Sequence, residues 1–146
     1  MRNISIRTGL LMLAGFIGFF MLTYIVGLAH VIELRMLNGV IHLACMSMAI
    51  KSYYQTHPDH KENYVTGVIQ GMAASVIGVL GFGAFINVML MVDPSLMDAV
   101  RSKTNFGEAL TPFMAGVFIV CEGLVVSLIG SYIITRLYLR GKTEEV

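Results

Sequence analysis

Four long apolar runs divide the chain, separated by shorter polar stretches. They cover about Thr8 to Ala29, Leu34 to Tyr53, Val65 to Val92 and Leu110 to Tyr138. A helix rises 1.5 Å per residue, so about 20 apolar residues cross roughly 30 Å of hydrocarbon. Every run meets that length. The pattern predicts an all-α chain in which residues 1–146 form a single transmembrane domain, an integral membrane four-helix bundle.

The polar stretches set the connections. His30 to Glu33 is so short that the first two helices must form a tight antiparallel hairpin. Gln55 to Asn63 contains Pro58 and reads as an exposed loop. Asp93 to Glu108 is longer, and Asp93-Pro94-Ser95 is a helix-start signal. Leu96, Met97 and Val100 then fall opposite Asp98, Arg101 and Lys103. This predicts a short interfacial helix between spans three and four, its apolar face turned to lipid headgroups or a partner. Thr111-Pro112 repeats the start signal and opens the fourth span.

Composition supports the membrane reading. Charged residues make up 13% and hydrophobic residues 56% of the chain, whereas soluble domains carry about 25% charged residues. A net charge of +1 excludes the strongly basic surface that nucleic-acid binding requires. Arg2 and Arg7 before an apolar run, with Gly27 and Ala29 after it, imitate a signal peptide. The run is longer than the usual apolar core of about 7–15 residues, so it reads as the first span. Arg2, Arg7, Lys51, Lys61, Arg136, Arg140 and Lys142 lie on the side of the termini, against Arg35, Arg101 and Lys103 on the other. Basic residues stay inside, which places both termini in the cytoplasm of a bacterial inner membrane. Tyr53, Tyr54, Tyr64, Tyr132 and Tyr138 gather toward that inner boundary, as interfacial aromatics do.

Small residues recur at helix-contact spacing: Gly67, Gly71, Ser75 and Gly78 on the third span, and Gly116, Gly123, Ser127 and Gly130 on the fourth. Such faces allow close helix approach in lipid. They suit either a groove for a partner or tight packing within the bundle.

Candidate chemistry is sparse. Glu122 lies about 15 Å into the fourth span, near the midplane, where a carboxylate costs roughly 2.5–3.5 kcal/mol. It should face the bundle interior. On the second span Arg35, Asn38, His42 and Cys45 share one face, and His42 lies about 12 Å deep. A buried polar site built from His42 and Glu122, extended by Asn38, Asn87 and Arg35, could bind a polar headgroup or a quinone, or pass a proton. The alternative is a hydrogen-bond network that fixes helix register.

Other motifs carry less. A bis-histidine haem site is disfavoured because His42 is the one histidine within a span; His30 sits at the outer boundary. His57-Pro58-Asp59-His60 could hold a metal but reads as a solvated turn. Cys45 and Cys121, outside any CxxC spacing, and the eleven methionines read as apolar filler. No cofactor or metal is expected. No nucleophile elbow, phosphate loop or HExxH motif supports an enzyme.

The chain resembles a family of small bacterial four-helix membrane proteins sharing a domain of unknown function. The resemblance lies in Glu33-Leu34-Arg35, Leu37-Asn38, Ala49-Ile50-Lys51, Gly67 and Gly71, Asp93-Pro94, Leu110-Thr111-Pro112 and Glu122-Gly123. It implies the four-helix membrane fold and no particular activity. The residues point first to a non-enzymatic membrane subunit or accessory protein in a homo-oligomer or larger membrane complex. They point second to a small transporter or a quinone- or lipid-binding protein using His42 and Glu122.

Overall fold

The computed structural model describes residues 2–28, 35–58, 63–105 and 107–143. Within them lie five α-helices: α1 (Arg2–Ile25), α2 (Arg35–Thr56), α3 (Tyr64–Val92), α4 (Pro94–Ser102) and α5 (Pro112–Thr143), with a 3-10 turn at Gly107–Ala109. Of these, α1, α3 and α5 are long and apolar enough to cross a membrane. The α2 helix has 22 residues, but Asn38, His42, Ser47, Lys51 and Ser52 dilute its apolar character.

At the centre is α3, which packs against all four other helices. Its largest interfaces are with α5 and α1, and α2 adjoins α1, α3 and α5. Gly9 lies beside Ala74, Met12 beside Gly78, and Phe20 against Phe85, so α1 and α3 run parallel. Thr135 lies beside Gly67, Ser131 beside Gly71, and Val79 beside Gly123, so α5 runs antiparallel to α3. Tyr54 meets Gly67 while His42 meets Ser75, which makes α2 antiparallel to α3 as well. The start of α1 and the end of α5 therefore lie at the same end of the bundle.

The small residues are used inside the chain. A Cβ on Gly71 would lie 2.9 Å from the Ser131 Cβ, and one on Gly123 would lie 2.7 Å from Val79. Gly83 and Gly116 bring α3 and α5 together at the other end, where the would-be Gly116 Cβ is 3.3 Å from the Gly83 carbonyl. Gly78 receives Met12 of α1, and Gly130 receives Leu43 and Met46 of α2. Of the two readings of these faces, internal packing is the one observed.

Helix ends follow local chemistry. The first helix stops at Ile25, short of the expected Ala29, because Gly27 adopts φ +76°. The Leu28 amide donates to the Thr23 carbonyl (2.8 Å) and the Gly27 amide to Tyr24 (3.0 Å), a Schellman cap that only glycine accepts easily. Asn63 caps α3 through the Thr66 amide (3.3 Å), and Thr111 caps α5 through the Met114 amide (3.2 Å). The short His30–Glu33 connection lies outside the described residues.

The expected helix after Asp93 is present as α4, with Asp93 accepting from the Ser95 and Leu96 amides at 3.0 and 3.3 Å. Its apolar face does not meet lipid or a partner as the sequence suggested. Leu96 and Met97 are buried in one cluster with Leu90 and Leu110, because the chain folds α4 back onto the end of α3. Arg101 Nε donates to the Leu110 carbonyl (3.1 Å) and closes that corner. Tyr24 donates to Asp93 (2.8 Å), tying α1 to the α3–α4 junction. Bonds from the Ser95 and then the Tyr24 hydroxyl hold the Asp93 carboxyl below its ordinary range. A depressed carboxylate stabilises the fold above its ordinary pKa, and that stabilisation is lost as pH falls through the lowered value.

Of the tyrosines expected at an interface, Tyr53 and Tyr54 are instead fully buried. Tyr54 stacks on Tyr138 (centroids 5.4 Å) and donates to the Asn63 carbonyl (3.0 Å).

We expect Gly71→Val to destabilise the protein by about 1–3 kcal/mol, because the new methyls overlap Ser131 and Ile50. Gly18→Ala, where no atom lies within 4 Å of a Cβ, should leave stability unchanged or slightly raised. Thermal unfolding in mild detergent reads both.

Candidate functional site: a cavity between α2 and α5

Packing of α2 on α5 changes along their length. Toward the end of the bundle that holds the start of α1 and the end of α5, Gly130 accepts Leu43 and Met46, and Tyr54 stacks on Tyr138. Toward Asn38 the two helices part around a cavity of about 90 Å³. Asn38, Gly39 and His42 line it from α2, and Ile119, Glu122, Gly123 and Val126 from α5. Phe16 of α1 and Val79 and Phe82 of α3 form its back wall. A Cβ on Gly39 would meet nothing within 4 Å, so the missing side chain leaves open space at the rim. At roughly 30 Å³ of liquid volume per water, the cavity has room for a few waters or one small polar molecule.

His42 is the best-defined polar group. It is 4% exposed, with Nε2 3.1 Å from Ser75 Oγ and 3.0 Å from Ser127 Oγ. Ser127 Oγ also lies 2.6 Å from the Gly123 carbonyl, which can only accept. With that hydrogen turned to Gly123, Ser127 accepts at His42. That assigns the proton to Nε2 and leaves Nδ1 as the acceptor of the ring. Phe16 packs edge-on against the imidazole (centroids 5.7 Å, 79°). From there Phe16, Phe82, Phe20 and Phe85 form an aromatic column through the α1–α3 interface.

Glu122 departs from expectation. Its side chain is exposed at the cavity rim rather than enclosed in the bundle. His42 is level with Ser127, five residues further along α5 and about 7.5 Å deeper than Glu122. Counting both helices from one boundary misjudged this offset, because α4 and the following turn lie between α3 and α5. Among the described residues the hydrogen-bond partners of His42 are Ser75 and Ser127. His42 and Glu122 share the cavity without a direct hydrogen bond.

The other candidates divide. Asn38 lines the cavity, and its buried Oδ1 has no partner among the described residues. A buried acceptor left unpaired costs about 1–3 kcal/mol, so a donor brought to it is worth a comparable amount. Asn87 instead donates to the Pro112 carbonyl (3.5 Å) and braces the start of α5, outside the cavity. The Arg35 side chain lies outside the described residues, as do His30, Asp59 and His60. His57 stacks on Tyr53 (4.7 Å).

Ser75 and Ser127 were legible as small residues but not as imidazole partners. Gln70 Nε2 and Thr135 Oγ1, both deeply buried, also lack a partner among the described residues. A comparison with known proteins gives no match to any family model, curated protein or solved structure.

We expect His42→Leu and Ser127→Ala to be energetically coupled, by about 0.6 kcal/mol and up to roughly 1.7, as interhelical bonds in membranes are. His42→Leu and Glu122→Gln, which share the cavity without a direct hydrogen bond, should couple less strongly than that pair. Double-mutant cycles by thermal unfolding in detergent separate the two pairs.

Proposed function

We propose that this chain is an integral membrane protein of four spans that binds a small polar molecule at the His42–Glu122 cavity, as a small transporter or binding protein does. The cavity itself carries the reading, because it joins the chain's buried histidine and its mid-span carboxylate in one space that opens sideways between α2 and α5. Support for the membrane setting comes from α1, α3 and α5 and from the apolar side chains exposed along them, such as Leu10, Leu22, Leu80, Val88, Val125 and Leu137. A surface of that kind is far larger than the apolar patches soluble proteins show. In this reading α2 also crosses the membrane, with Asn38 and His42 turned to the cavity. The start of α1 and the end of α5 lie at one end of the bundle, and the basic-residue bias puts that end in the cytoplasm of a bacterial inner membrane.

A second reading, a subunit in a homo-oligomer or larger complex, is favoured by one feature. The outward side of α5 sets Glu122 and Cys121 amid exposed apolar residues, including Val117, Phe118 and Val125. A neighbouring helix laid there would shield the carboxylate from lipid.

Mass spectrometry of small molecules that co-purify in mild detergent tests the binding reading. Wild type should retain a species that Gly39→Phe, which fills the rim, loses, while the open-surface variant Gly18→Phe retains it. An identical set from all three proteins would contradict a ligand in this cavity.

A further inference from the structure

Helix register brings three cations to one level of the bundle. His42 of α2 is level with Ser127 of α5 and packs against Phe16 of α1. Nine residues from that layer, toward the end that holds the start of α1 and the end of α5, stand Arg7, Lys51 and Arg136. The stacking of Tyr54 on Tyr138 shows that α2 and α5 keep their register over this distance. The three residues therefore lie about 13 Å from the His42 layer, one on each of three helices. All three are exposed.

That level has the marks of a membrane boundary. The chain has no Lys, Arg, Asp or Glu from Thr8 to Ile25, from Met36 to Ile50 or from Tyr64 to Val92, and from Pro112 to Thr135 only Glu122. At the opposite end of α1, Tyr24 donates to Asp93 (2.8 Å). Arg7 and Tyr24 are 17 residues apart, about 26 Å along the helix, against roughly 30 Å of hydrocarbon in a bilayer. Tyr132, one turn before Arg136 on the same face, is exposed and meets Tyr64 edge-on (centroids 5.3 Å). Aromatic rings beside cations are what a headgroup boundary collects.

Charge at this boundary has one sign. Among the described residues no Asp or Glu lies on this side of the His42 layer, whereas Asp93, Asp98 and Glu108 lie at the opposite end. A Lys or Arg placed more than a turn inside a helix end lays its stem along apolar surface and lifts its charge to the head groups. Anionic head groups complement three such cations. A zwitterionic head group brings an ammonium of its own and complements them less.

We propose that Arg7, Lys51 and Arg136 form a docking belt for anionic phospholipid head groups, such as phosphatidylglycerol, at one face of the membrane. This rests on the membrane setting of the reading above and not on the cavity. It adds the class of lipid that holds the bundle at its level.

The test is thermal unfolding of the full-length protein in nanodiscs of phosphatidylcholine alone and of phosphatidylcholine mixed with phosphatidylglycerol. The mixed discs should raise the melting temperature by a few degrees at low salt. The gain should shrink as sodium chloride screens the exposed charges. Native mass spectrometry of protein released from the mixed discs should show phosphatidylglycerol retained in preference to phosphatidylcholine. Arg7→Gln, Lys51→Gln and Arg136→Gln should each lower that preference about fivefold, while Arg136→Lys should keep most of it. The three variants are read separately, so one that fails to fold leaves the other two to decide. Equal stability in both discs, or a preference that the variants keep, overturns the belt. A gain from inorganic phosphate in phosphatidylcholine discs as large as that from phosphatidylglycerol overturns lipid docking in favour of a free anion. Failure to enter discs of either lipid would overturn the membrane setting itself, which entry with equal stability would leave standing.

Discussion

Along the α3–α5 interface, Gly71 faces Ser131, Gly123 faces Val79, and Gly83 faces Gly116, leaving no room for a side chain larger than the one present. Close approach of these two backbones is the constraint on which the rest of the structure depends. Lipid supplies no hydrophobic drive to hold two apolar helices together, so contact must come from packing of this kind. Once the register is set, Ser75 and Ser127 come within about 3 Å of one imidazole nitrogen contributed by a third helix. The same approach thus fixes where α2 sits and how deep His42 lies. Hydrogen bonds alone would hold α2 weakly, and Gly130 adds van der Waals contact with Leu43 and Met46.

The cavity follows from where that contact ends. Past His42, α2 offers Gly39 and Asn38 in place of larger apolar residues, and α5 offers Gly123 opposite Val79. The helices cannot interdigitate there, and a largely apolar gap opens with Asn38, His42 and Glu122 in its lining. An unfilled gap in a bundle forfeits the contacts its lining would otherwise make. An occupant that restored those contacts would offset that cost. The aromatic column from Phe16 to Phe85 stiffens the wall behind it.

Much of the architecture was legible in the sequence because its signals are local. Apolar length gave the long helices, and the Asp93-Pro94 and Thr111-Pro112 pairs marked where α4 and α5 begin. Glycine spacing announced close packing, and the third run matched α3 to within one residue. What escaped was non-local. That α4 buries Leu96 and Met97 in its own protein depends on how the chain turns at Asp93, which periodicity does not encode. The same helical stripe suits lipid or a protein core. The pairing of His42 with two serines was hidden because serine counts equally as a small residue and as a hydroxyl. Glu122 was expected to face the bundle interior at the level of His42, but its side chain is exposed at the cavity rim and Ser127 is the residue level with His42. Of the residues chosen for the site, Asn38, His42 and Glu122 line one cavity, Asn87 is engaged elsewhere, and the Arg35 side chain lies outside the described residues.

At the heart of the account is an imidazole held in one tautomer by the α3–α5 register, its Nε2 proton shared between two serines and its Nδ1 left as an acceptor. Nitrogen-15 NMR of histidine-labelled protein in lipid, with His42 assigned by comparison with His42→Leu, measures this directly. The account predicts a protonated Nε2 and a bare Nδ1 at neutral pH, with Ser127→Ala disturbing the Nε2 resonance more than Glu122→Gln does. A proton on Nδ1, or an indifferent response to Ser127→Ala, would contradict it.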